Sequence, residues 1–436
     1  MTSFFIVSLG CPKNLVDSEK LGRALRRRGL PAADSEATAN ILVVNTCGFI
    51  RAACEESLET LLLAARLKAE GPPRLLVATG CLSGRYAATL PQELPEVDLF
   101  FGPLQDEAAV SRAAEQIATA AGVSGPERPI PAAPVLTPAW RAYVKIADGC
   151  SNRCAYCTIP AIRGPRRSRP VEDILGEVAR LAAAGVREVT LVAQDTTAYG
   201  ADLRPQESLA SLLERLSLAP GPEWLRVLYL HPERLHPEHP DDRLMEVMAS
   251  GGRVLPYFDM PVQHASGRIL AAMGRGPADL PRLVEAIRRR CPEAVLRTSV
   301  MVGFPGEGER EFAELATFAR QATFDHLGCF VFSPEEGTPA ASLRPKISRR
   351  VAQRRVDHLM ALQAEISQAR NQALVGRILP VLVEEAHENT FTARAARHAP
   401  EIDGTLLGEG AARPGEMVRV RVISASAYDL RGRLIP

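Results

Sequence analysis

Between residues 143 and 332 the chain alternates short apolar runs with amphipathic stretches, six times over. The runs fall at 143–147, 187–193, 225–230, 257–260, 295–301 and 327–332, and helical spacing fills the gaps, as at 171–184 and 280–290. Strand–helix repeats of this kind build a parallel sheet covered by helices. Six units fall short of the eight of a closed barrel, so the pattern predicts a partial (β/α) barrel resembling a TIM barrel. Polar or turn-forming residues follow every run: a loop from Cys150, Gln194-Asp195-Thr196-Thr197, His231-Pro232-Glu233-Arg234, Gln263-His264, Gly303-Phe304-Pro305-Gly306-Glu307 and Ser333-Pro334-Glu335-Glu336. In a barrel these loops share the rim at the carboxyl ends of the strands, where active sites are built.

The first of those loops carries the chemistry. It reads Cys150-Ser-Asn-Arg-Cys154-Ala-Tyr-Cys157, three thiols in eight residues. Three thiolates can hold three irons of a four-iron, four-sulfur (4Fe–4S) cube and leave the fourth iron open to a ligand. A structural zinc site takes four protein ligands, and the next cysteine or histidine along the chain is His231. A partial zinc site and unconnected thiols are the alternatives. The basic stretch Arg163-Gly-Pro-Arg-Arg-Ser-Arg169 comes shortly after, and is either a contact for a cofactor or acidic substrate or a solvated loop.

Ahead of the barrel, residues 1–122 form another strand–helix alternation. Apolar runs at 3–9, 41–44 and 75–78 predict strands, and amphipathic stretches at 15–28 and around Leu58, Leu61, Leu62 and Ala65 predict helices. Cys11, Cys47 and Cys81 each fall just past a strand's carboxyl end. Those ends line up along one edge of an open parallel sheet, where ligands bind. The three cysteines therefore predict a second metal site, with three buried structural cysteines as the alternative. Cys54, Cys291 and Cys329 fall in helix, helix-end and strand positions and read as structural.

Residues 123–138 hold five prolines and predict an extended, semi-rigid linker. The barrel then spans 139–368, ending in a long helix over 348–375. Residues 369–436 turn to β patterning at 381–385, 390–395 and 417–424 with interspersed glycines, which predicts a small antiparallel barrel of OB-like topology. This last part carries nine Arg and no Lys against eight Asp plus Glu. A module that tracks nucleic acid has a basic excess, so direct nucleic-acid binding is not expected of it. The whole chain has a net charge of +1. Nine cysteines, no leader pattern and no apolar run of membrane-spanning length place the expected home in the reducing cytoplasm, away from membranes.

The Cys150–Cys157 run resembles the signature of the radical S-adenosylmethionine (SAM) enzymes. The resemblance implies that an open iron chelates SAM and that cleavage of SAM yields a deoxyadenosyl radical. It places Tyr156 near the adenine. Gln194, Gln263 and Arg297 are further candidate SAM contacts, with a helix-start loop as the alternative for Gln263 and a pair inside the barrel as the alternative for Arg297. The full order of cysteine domain, barrel and small β-barrel resembles the methylthiotransferase family. That resemblance is carried by Ser8-Leu-Gly-Cys-Pro-Lys-Asn14, Asn45-Thr-Cys-Gly-Phe49 and Thr79-Gly-Cys-Leu82. It implies an auxiliary 4Fe–4S cluster on Cys11, Cys47 and Cys81 beside the radical SAM cluster on Cys150, Cys154 and Cys157. The tail resembles a TRAM domain, through residues 415–422 and 427–432. Residues 7–19, 194–200 and 333–339 are similar to the branch that places a methylthio group on the β-carbon of an aspartate in ribosomal protein uS12. The His- and Pro-rich loop 231–240 departs from that pattern.

The resemblance implies two uses of SAM, as methyl donor and as radical source. It implies uS12 as partner, free or within the small ribosomal subunit, with the tail holding it, and an electron donor such as a flavodoxin or ferredoxin. The enzyme alternative is tRNA adenosine methylthiolation. The non-enzyme alternative is a ribosome-assembly or RNA-binding factor with structural clusters.

Overall fold

The computed structural model describes residues 2–130, 134–235, 243–276 and 279–435. The predicted strands of the first domain are Phe4–Ser8, Ile41–Thr46 and Leu75–Gly80, paired in parallel and in sequence order, with a short fourth strand, Leu99–Phe100, at the edge. That fourth strand and the helix Glu107–Ala120 are not among the predicted elements. Helix Pro12–Arg27 follows the first strand. Pro12 suits its first turn, where no backbone N–H is needed. Val16, Leu21, Ala24 and Leu25 are its buried apolar face. Helix Arg51–Glu70 follows the second strand.

The linker is strapped down. Glu19 in the first helix accepts the N–H groups of Val135, Leu136 and Thr137 at 2.7–2.9 Å. The Arg128 N–H donates to the Arg27 carbonyl. Its residues 131–133 lie outside the described ones.

The six predicted barrel strands are present as two three-stranded parallel sheets. One holds Arg141–Lys145, Glu188–Val192 and Trp224–Val227; the other holds Tyr257–Asp259, Val295–Val302 and His326–Val331. A parallel bridge between Leu225 and Val254, and the Leu230 N–H on the Asp259 carbonyl, join them. No pairing connects the first strand to the sixth among the described residues, so the barrel is open on that side. Alternate side chains such as Val144, Leu191, Val227, Phe258 and Leu296 pack outward against the helices. The long helix Arg349–Gln372 lies along the last strand, with Gln363 and Ser367 hydrogen-bonded to the carbonyls of Phe324 and Asp325.

The tail is a closed five-stranded barrel: Ile378–His387, Thr390–Ala395, Leu406–Glu409, Leu430–Ile435 and Met417–Ala425 in spatial order. One pairing, Leu406–Glu409 on Leu430–Ile435, is parallel. These two strands go beyond the sequence prediction, since they are short, four and six residues, and each carries a glycine.

Two domains close the two ends of the (β/α) barrel. The amino ends of its strands meet the tail. Arg226 donates to the Ala396 carbonyl, Glu188 pairs with Arg394, and the Tyr257 hydroxyl donates to Asp403. At the carboxyl ends the first domain sits over the rim. Arg85 pairs with Glu335 at 3.0 Å, and the Thr158 hydroxyl donates to the Phe49 carbonyl at 3.2 Å.

Candidate active site

Each predicted thiol of the first domain falls where the chain leaves the sheet. Cys11 is the cap residue before helix Pro12–Arg27, Cys47 directly follows the second strand, and Cys81 directly follows the third. Strand register brings the three loops together. Ser8 stands opposite Asn45, and Thr46 opposite Gly80. The approach is close enough to demand glycine. A Cβ on Gly10 (φ +85°) would lie 2.8 Å from the Cys47 sulfur, and one on Gly48 would lie 2.9 Å from the Cys81 carbonyl carbon.

The thiols feel one another and their surroundings. Burial raises the Cys47 thiol to about 11, and its neighbours Cys11 and Cys81 add to the rise. Burial also raises Cys81, against the opposing pull of Arg163. Cys11 goes the other way. Burial would raise it, but the Lys13 ammonium, the N–H groups of Asn14 and Lys13, and Arg163 together hold it below its ordinary value. A lowered thiol is a ready thiolate ligand.

The second set sits on a loop fixed at several points. The Cys150 N–H donates to the Gly164 carbonyl, the Ala155 N–H to the Met273 carbonyl, and the Ala340 N–H to the Ala155 carbonyl. Gly149 starts the loop at φ +73°, and a Cβ there would lie 2.3 Å from the Pro165 oxygen. Asn152 donates to Asp195 at 2.8 Å, which ties the loop to the end of the second barrel strand. Burial pushes the Cys157 thiol up to about 12, with Cys154 and Cys150 contributing. In neither set do three side chains close to the spacing of a single-ion site, among the described residues. A four-iron cube, with one thiolate on each of three irons, asks for wider spacing. Each loop offers three thiols, the donor set of such a cube with one iron left open.

A buried ionic network links the sets. Arg163 ends the short helix Ile159–Arg163 that follows Cys157. Its guanidinium reaches Asp148 at 2.9 Å, Asp17 at 3.1 Å, the Asn14 side-chain oxygen at 2.6 Å and the Cys81 sulfur at 3.4 Å. Lys145 pairs with the same two aspartates, Asp17 and Asp148. In the basic stretch from Arg163 to Arg169, Arg163 is buried while Arg167 is exposed. All four of its arginines are engaged within the chain: Arg166 with Asp202, Arg167 with Gln105, and Arg169 with Glu177 and the Lys145 carbonyl. The network is invisible in the sequence because its members lie up to 149 positions apart.

Of the four expected SAM contacts, three stand at the rim. Tyr156 is packed among Met273, Phe304 and Phe332. Gln194 donates to Asp148 at 3.2 Å while its buried side-chain oxygen lacks a partner. Gln263 is held at φ +69° by backbone hydrogen bonds with Ser299 and Met301 of the fifth strand. Such backbone strain in a non-glycine residue gathers at functional sites. Arg297 follows the other of its two readings, a pair inside the barrel. It lies at the third position of its strand, where its guanidinium binds Asp259 at 3.0 Å and Asp403 of the tail at 3.4 Å. Two carboxylates hold it toward the tail and away from the cysteine rim. His231 belongs to the rim; burial lowers it to about 4, and residues 236–240 of its loop lie outside the described ones.

A six-stranded open barrel with three thiols past its first strand defines a radical SAM enzyme. Residues 144–319 match the Radical SAM superfamily, residues 3–102 an uncharacterized protein family, UPF0004, and residues 375–435 the TRAM domain. A radical SAM methyltransferase from Kitasatospora setae, TsrM, shares the fold at a TM-score of 0.53 and 14% identity, over 78% of this chain and 74% of that one. Proteins named ribosomal protein uS12 methylthiotransferase RimO are far closer in sequence. That of Desulfosudis oleivorans is 46% identical over 98% of both chains. That of Syntrophobacter fumaroxidans is 45% identical over 99% of this chain and 98% of its own. The chain belongs to this methylthiotransferase family. It is a radical SAM methylthiotransferase, and its cofactors are SAM and 4Fe–4S clusters.

Proposed function

We propose that this enzyme replaces a hydrogen on the β-carbon of an aspartate in ribosomal protein uS12 with a methylthio group. Cys150, Cys154 and Cys157 hold the radical SAM cluster, and Cys11, Cys47 and Cys81 hold the auxiliary cluster. Bound there, the two clusters supply hydrogen abstraction through SAM and the sulfur that is transferred. Tyr156, Gln194 and Gln263 line the SAM side of the rim. Residues 1–122, 139–368 and 369–436 are its three modules, the first two joined by 123–138.

The observation that carries this reading is the coupling of the two thiol loops across one rim. Thr158, next after Cys157, bonds the carbonyl of Phe49, two residues past Cys47. Arg163, from the same short helix, reaches the Cys81 sulfur. A radical made beside one loop is therefore formed close to the other, and the substrate carbon need not travel between them. The surrounding residues do the holding. Asp195 orients the Cys150 loop through Asn152. Buried Arg163 and Lys145 neutralise Asp17 and Asp148 without opening a water path.

No helix among the described residues is long and apolar enough to cross a membrane. The reading places the enzyme in the cytoplasm, with uS12, free or in the small subunit, as partner. Electrons come from a flavodoxin or ferredoxin. Mass spectrometry of uS12 after incubation with reconstituted enzyme, SAM and reductant tests the assignment. The expected product carries one methylthio group on the aspartate. An unmodified uS12, or a gain on tRNA adenosine instead, would sink it.

A further inference from the structure

Lysine is scarce here: only five of the 52 basic residues are Lys. Lys20, Lys68 and Lys145 each pair with a carboxylate. Lys13 is buried, with 9% of its surface exposed, yet no carboxylate pairs with it among the described residues. Its ammonium lies 3.5 Å from the centre of the Tyr229 ring. The other charged or titratable groups that act on it are the Cys11 thiol and the Arg163 guanidinium. Tyr229, through its ring face and its hydroxyl, compensates a desolvated ammonium only in part.

Its placement gives the missing partner a chemistry. Lys13 stands two residues after Cys11, at the start of helix Pro12–Arg27. Tyr229 follows the third barrel strand at the rim, held at φ +63° while its N–H donates to Asp259 at 2.9 Å. Lys13 thus bridges the first thiol set and the barrel mouth. In an aspartate the β-carbon is bonded directly to the side-chain carboxylate. Wherever that carbon meets both centres, its carboxylate lies within a bond length or two of the same spot.

We propose that Lys13 is the specificity-determining cation of this site, receiving the side-chain carboxylate of the substrate aspartate against the Tyr229 ring. This rests on the reading of an aspartate as the substrate. A compact ammonium can keep the ring on one side and donate to a carboxylate oxygen on the other. A planar guanidinium would stack flat and fill the slot.

The test compares two peptides of the uS12 segment, one with aspartate at the modified position and one with asparagine. Both are titrated against the holoenzyme with SAM but without reductant, and binding is read by fluorescence anisotropy. The wild-type enzyme is expected to bind the aspartate peptide about tenfold or more tightly than the asparagine peptide, the worth of a charge-assisted hydrogen bond. In Lys13→Met and Lys13→Gln the ratio should fall to near one, with iron content unchanged. Lys13→Arg should keep part of it. An undiminished ratio in the neutral variants overturns the proposal. So does loss of the auxiliary iron in both neutral variants but not in Lys13→Arg, which would make Lys13 a counter-charge for the cluster. A wild-type enzyme that neither binds nor modifies the aspartate peptide would instead bring down the substrate reading on which the proposal stands.

Discussion

Arg163 shows how much one side chain can organise. It sits six residues past Cys157 and contacts two aspartates, an asparagine and a cysteine sulfur of the opposite set. Removing one partner of a buried ion network strands the charges that remain. Arg163→Met is expected to destabilise the protein by about 3–5 kcal/mol, measured by urea unfolding. A loss below about 1 kcal/mol would mean that water reaches the network. Gly149 is the second such residue. At φ +73° with a carbonyl oxygen where a Cβ would go, Gly149→Ala must displace the start of the Cys150 loop. Iron analysis should then find the radical SAM cluster lost and the auxiliary cluster retained. The identities of the six cysteines are legible in the sequence because three thiols at short spacing, and thiols just past strands, are local patterns. The pairing of Arg163 with Asp17 is not, since the two charges come from different domains.

At the scale of elements, the two thiol loops are expected to divide the reaction. Cys150→Ala should abolish formation of deoxyadenosine. Cys47→Ala should still form it, in reduced amount, while uS12 gains no methylthio group. Liquid chromatography with mass detection reads both products in one assay. Persisting deoxyadenosine in the first variant would misplace the radical centre. All six barrel strands are legible, because buried parallel strands are continuous apolar runs of distinct composition. The Leu99–Phe100 strand and two strands of the tail are not. The first has two residues, too few for any period, and the others are short runs interrupted by glycine. The tail's closed barrel is legible in kind even without those two strands. Its linker counterpart is not a free spacer, since Glu19 holds residues 135–137 by three backbone N–H groups.

At the scale of the whole molecule, the tail sits at the end of the barrel opposite the thiol rim, although the family resemblance implies a hand in holding substrate. Its 394–403 segment brings Arg394, His398 and Asp403 against Glu188, Arg226, Tyr257 and His326. This floor carries a pH dependence with a definite sign. Burial lowers His326 and His398, so the folded state keeps them neutral while the unfolded chain takes up protons below about pH 6.5. Stability is therefore full above that pH and falls below it, by about 1.4 kcal/mol per pH unit for each histidine. Burial would raise Glu188 and Asp325, but their arginines outweigh it and hold both low. Their contribution is present above about pH 4 and is lost as the pH falls further, in a second stage. Melting temperatures from pH 8 to 3 should show both stages, and His398→Leu should flatten the first. An unchanged slope in that variant would clear His398 of the role. The class of chemistry and the barrel can be read along the chain, because thiol spacing and strand periodicity are properties of neighbours in sequence. The shared rim of the two thiol sets, the pairing of Arg297 at the floor, and the ring that Lys13 faces with no acid beside it among the described residues come from the folded arrangement. Those facts depend on which distant groups are desolvated together, and burial is a property of the folded whole.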